Sequence, residues 1–218
     1  MISFQILQRE REVQAGPRKK KEGLLIGFKI INKTISNHMI IAQEKKEQNV
    51  VEYILYMWQV EDIIRASKFN LKVINEHIIE KYKQPESTKK DILDWYKNHI
   101  EMMVNEGKQE TEHLIYLENI VGELYDLHNK LLHQKPDNHY QSLFGNALPV
   151  ISELKTKSGG NQMNELEICF NGLYGYLMLK ISGQTVTEQT SQAIKNLSNM
   201  LAYLADKHKK IEQGKEEV

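Results

Sequence analysis

Three ionisable residues stand where apolar ones would be expected, and they are the natural start for any chemistry in this chain. Glu61 falls between Met57 and Ile64 on the main face of a helical pattern, with Arg65 following at i+4, the spacing at which opposite charges meet. His128 interrupts a second stripe formed by Leu114, Leu117, Val121, Leu124 and Leu131, and His113 and Glu110 extend that stripe upward. A carboxylate inside a core must be paired or protonated. The group therefore reads in two ways. It is either a satisfied network that fixes helix register, which is the stronger reading, or the lining of a ligand pocket, where perturbed ionisable groups concentrate. Asn171 and Tyr174 flank the pair Gly172 and Gly175, whose spacing within a helical pattern suits a close helix crossing, and serve as hydrogen-bonding glue or as pocket wall. Glu61, Arg65, His128, Asn171 and Tyr174 form the candidate ligand-binding set. No catalytic residue is assigned.

Metal and nucleophile chemistry find less support. Glu110 and His113 make a Glu-x-x-His pattern, the helical spacing used in di-iron bundles, but such sites need a second motif and two more carboxylate-bearing helices. A three-histidine site from His99, His113 and His128 is conceivable on facing helices, though nothing in the spacing favours it. Cys169 lies on an apolar face and reads as a small core residue. The glycine pair lacks the strand and the Lys-Ser/Thr of a phosphate loop. No metal and no cofactor is expected.

The elements that position these residues are helices throughout. A first helix from about Ile40 to Ala66 carries Val50, Tyr53, Ile54, Met57, Val60 and Ile64 on one face, with Val51, Leu55, Trp58 and Ile63 on the others. Such all-round apolarity places it centrally in a bundle. Asn70 caps a second helix reaching about Tyr82, and a third starts at Ser87 or Thr88 and stops near Gly107. A fourth spans about Glu110 to His133. The fifth is bent or restarted at Pro149, the sixth runs from about Met163 to Ser182, and Thr187 opens the seventh. The expected fold is all-α, a single bundle of about seven helices.

Composition agrees, with 40% hydrophobic and 27% charged residues, four prolines and twelve glycines in 218 residues. The lone cysteine gives no sign of an oxidising compartment, so a cytoplasmic location is expected. No apolar run reaches the length of a membrane span. Charge is uneven: residues 1–38 hold eight Lys/Arg and three Asp/Glu, leaving 21 basic and 26 acidic residues in the remainder. General nucleic-acid binding by the main body is thereby disfavoured. Residues 1–38, with Gly16-Pro17 and the run Arg18 to Lys21, read as a poorly ordered basic extension or as an over-extended start before Met39; a basic arm contacting nucleic acid is a third reading. Residues 39–218 form the helical domain.

Several stretches carry a family resemblance: Met39 to Gln43, Tyr53 to Arg65, Gln84-Pro85, Asp126 to Asn129, Glu165 to Glu167 and Cys169 to Leu179. Over about residues 39–210 the chain resembles a bacterial all-helical family of unknown function, numbered forty-nine twenty-four. The resemblance implies a helical fold and a start at Met39, and supplies no activity or site residue. The expected function is a non-catalytic protein-interaction module that binds a protein partner or pairs as a homodimer. The alternative is a small-ligand binder or enzyme using a buried polar pocket around Glu61, Arg65 and His128.

Overall fold

A computed structural model describes Ala42, residues 45–158 and residues 162–217. The basic extension and the expected start at Met39 lie outside the described residues. Seven α-helices occur among them and no strand, so the fold is all-α.

Helix α1 spans Val50–Ala66. Residues 45–48 are also helical, but the continuous helix expected from about Ile40 is interrupted at Asn49. The Asn49 backbone is extended (φ −156°, ψ 102°), and its side chain accepts the N–H groups of Val51 and Glu52. Asparagine competes with the helix for its own backbone, which is why it restarts a helix more readily than it continues one. Ten apolar residues of α1, from Val50 to Ile64, are buried. Past Ser67, Lys68 and Phe69 adopt left-handed backbone and turn the chain sharply. Asn70 then caps α2, Leu71–His77. The α-helix stops there and only a 3₁₀ turn, Ile79–Lys81, continues toward Tyr82.

Helix α3, Glu86–Asn105, begins directly after Pro85, slightly earlier than expected. It ends at Gly107, whose φ of +70° needs the freedom of glycine. Helix α4 is Ile115–Asn129, and its last turn widens into a π-helical turn, Lys130–Gln134. The expected start near Glu110 is therefore corrected: residues 109–114 are non-helical and Glu112 has φ 67°. Asp137 caps α5, Asn138–Lys157, which runs unbroken through Pro149. Asn164 and Glu167 form a reciprocal capping box at the start of α6, Glu165–Ile181, and Thr187 caps α7, Glu188–Glu212.

Helix α7 touches α1, α4, α5 and α6, and packs most extensively on α5. A Cβ added at Gly172 on α6 would lie 2.7 Å from Leu154 Cδ1 on α5 and 3.4 Å from Leu197 Cδ1 on α7. That glycine marks a close approach of three helices.

Candidate functional site

Glu61 is fully buried on α1 and faces the segment that links α3 to α4. Its Oε2 lies 2.5 Å from His113 Nδ1, and its Oε1 accepts the Leu114 N–H at 2.9 Å. Leu114 is the residue before the first turn of α4 and has no side chain that could cap it. One residue on, the Ile115 N–H donates to Glu106 Oε2 at 2.7 Å. Two glutamates, one on α1 and one just past the end of α3, thus take up backbone donors that a Ser, Asp or Asn cap would otherwise satisfy. Both carboxyl groups lie at the positive end of the helix dipole. This explains why a glutamate occupies a core position of α1.

The His113 ring is held flat against Trp58, with centroids 3.9 Å apart and planes 3° from parallel. Trp58 in turn meets the edge of Tyr174 at 5.5 Å. Tyr174 donates its hydroxyl to Asp62 Oδ2 at 2.7 Å, and burial followed by the Asp62 charge pushes that hydroxyl well above its usual range. Nearby, His99 bonds the Trp95 carbonyl through Nδ1 at 2.8 Å, and burial pulls its pKa down.

Arg65 pairs with Asp62 at 3.2 Å and not with Glu61. Its remaining guanidinium donors reach the carbonyls of Lys108 (3.3 and 3.4 Å) and Glu112. Lys108, itself nearly buried, bridges Glu112 at 2.9 Å and Glu118 at 3.0 Å; those two hydrogen bonds, Glu112 first, raise its pKa. The Glu61 and Arg65 contacts together fasten the 106–114 segment over the end of α1.

His128 belongs to a different cluster. Its Nδ1 is hydrogen-bonded to the Tyr140 hydroxyl at 2.6 Å, and the rings of Tyr125 and Phe144 surround it. Burial pulls its pKa down to about 4. Asn171 donates to the Glu167 carbonyl of its own helix at 2.7 Å and reaches Met163 Sδ at 3.6 Å. The candidate set therefore divides: Glu61, Arg65 and Tyr174 are linked through Asp62, His113 and the 106–114 segment, while His128 bonds Tyr140 and Asn171 bonds Glu167 and Met163.

The partners of this cluster that sequence reasoning passed over are Asp62, Glu106 and Lys108. The apolar period places His113 on the fourth helix, whereas it lies in the loop before that helix. One signal was available, since residues 105–113 have no apolar period and contain Gly107, which marks a loop. The Glu-x-x-His spacing of Glu110 and His113 is accordingly not helical. Among the described residues no group of three or more His, Cys, Asp or Glu side chains is placed to hold a metal ion. Cys169 is fully buried, which pushes its thiol pKa up.

Fold and cluster together define an all-α protein whose buried charges are met by its own backbone and side chains. A family model described as Domain of unknown function (DUF4924) matches residues 39–215, and the chain belongs to that family. No curated protein and no solved structure matches it. Among the described residues no helix is long and apolar enough to cross a membrane.

Proposed function

We propose that this protein is a non-catalytic helical module that acts by protein association, and that its partner on the α6 face is a second copy of the same chain. The observation that carries this reading is the C-terminal half of α6. Tyr176, Leu177, Met178, Leu179 and Ile181 are only half-buried, and none of them is among the apolar side chains packed against the described core.

The face extends onto α5. Helices α5 and α6 approach each other closely at Leu154 and Gly172. On α5, six residues before Leu154, Leu148 is 45% exposed. Within Tyr176–Ile181 the one charge is Lys180, whose ammonium lies 5.5 Å from the Tyr176 ring centre. The remainder of the chain beyond residue 38 carries more acidic than basic groups, so a nearly uncharged face is where two copies meet without opposing like charges.

The test is the mass of the full chain in solution, by light scattering and native mass spectrometry across a dilution series. A concentration-dependent dimer is expected, and Leu148→Glu with Leu179→Glu should give a monomer with unchanged helical circular dichroism. A wild-type chain that is monomeric at about 100 μM overturns self-association. A dimer untouched by folded Leu148→Glu alone and in combination removes this face. The competing pocket around Glu61, Arg65 and His128 draws less support, because both Glu61 oxygens are occupied within the chain and His128 bonds Tyr140.

A further inference from the structure

The junction between α4 and α5 combines a π-helical turn with a buried ionisable ring. In the π-helical turn the Lys135 N–H reaches back to the Lys130 carbonyl at 2.9 Å, and the Asp137 N–H to Leu131 at 2.9 Å. Gln141 Nε2 donates to the Leu132 carbonyl at 3.1 Å, stitching the first turn of α5 onto the same segment. Turns of this width are uncommon, and they recur where a helix must yield or do work. Immediately before this one lies His128, 2% exposed.

The groups facing His128 come from each element around it. Its own helix and the turn contribute Tyr125 and His133, α5 contributes Tyr140 and Phe144, and α6 contributes Glu165. Glu165 favours the charged imidazole from a distance and His133 opposes it. Cys169 of α6 lies beside Tyr140. One layer further out, Asp137 binds the Tyr203 hydroxyl at 2.7 Å and Lys207 at 3.4 Å from α7. Among the described residues no carboxylate forms an ion pair with the His128 ring, which bonds the Tyr140 hydroxyl and meets the rings of Tyr125, Tyr140 and Phe144.

We propose that His128 is an acid-operated latch: protonation of its imidazole releases the π-helical turn and the first turn of α5 while α1 to α3 stay folded. Burial disfavours the charged imidazole here, and no ion-paired carboxylate among the described residues offsets that, whereas in water the ring is fully hydrated. The cheapest way to hydrate it is to open the adjacent turn, because that backbone is the least regular part of the two helices.

Hydrogen exchange of the full chain read by mass spectrometry tests this, comparing about pH 7.5 with about pH 5 after correction for intrinsic exchange. An imidazole that titrates normally when open, and near 4 when closed, makes opening about 25-fold more frequent at the lower pH. Peptides covering residues 128–141 should show that rise relative to those covering 50–66, and Tyr140→Phe should keep it on a higher baseline. His128→Phe should abolish it. A rise shared equally with α1, or one that persists in His128→Phe, overturns the latch. Should that variant fail to fold, an NMR titration of wild-type His128 decides: an ordinary midpoint near 6.5 overturns the latch.

Discussion

Glu61 shows how a residue that looks catalytic can be structural. A glutamate with a histidine on one oxygen and a backbone N–H on the other has the parts of an acid–base dyad, yet both oxygens are engaged in starting α4. Glu61→Gln keeps the volume and an oxygen for the Leu114 N–H, but it removes the carboxylate beside His113 and requires that ring to accept at Nδ1, so a loss of about 2 kcal/mol in urea unfolding is expected. His113→Phe preserves the stack on Trp58 and strands one Glu61 oxygen, for a loss of about 2 kcal/mol. The double variant should cost less than the sum, and strict additivity would show that the two side chains do not share one interaction. His128 makes the pH prediction at the same scale. Its folded pKa, about 4, lies below the ordinary 6.5, so the unfolded chain binds more protons between those values. Stability contributed by the neutral ring is therefore full above pH 6.5 and lost as pH falls toward 4, by about 3 kcal/mol. Unfolding free energies measured at a series of pH values should show that slope in the wild type and a flatter one in His128→Phe.

Helix boundaries here are decided by small polar residues more than by the apolar stripes. Asn49, Asn70, Asp137, Asn164 and Thr187 each bond backbone donors of the helix that follows. Helices α3 and α4 lack such a side chain, and α4 borrows its caps from Glu61 and Glu106. Close packing adds one more constraint at Gly172. A methyl there would meet the end of the Leu154 side chain, which can rotate away, while alanine favours the helix by about 1 kcal/mol. Gly172→Ala should thus change thermal stability by no more than about 1 kcal/mol in either direction. Gly172→Leu has nowhere to go between α5 and α7, and a loss of about 3 kcal/mol or more is expected in the same melt. A stable leucine variant would mean that the three helices do not meet closely there.

At the scale of the whole molecule, the described core absorbs α1 and the first half of α6, and self-association is proposed on the half-buried apolar residues of its second half. The sequence by itself determined the helical class and the start of α2, α6 and α7 to within about two residues, because apolar period and capping chemistry are local. It also marked Glu61, His113 and His128 as residues that do not belong on an apolar stripe. It misplaced the start of α4 because Leu114, Leu117 and Val121 continue backward in period to His113 and Glu110, and a stripe cannot report that its first turn is unwound. Nor could it choose the partners. Arg65 meets Asp62 and two loop carbonyls although Glu61 is at the favoured spacing, and Glu61 meets a histidine more than fifty positions away in the chain. Those pairings were decided only in the tertiary structure, since a buried charge is satisfied by whichever donor folding brings within about 3 Å, and that distance is set by the packing of α1 against the α3–α4 connection.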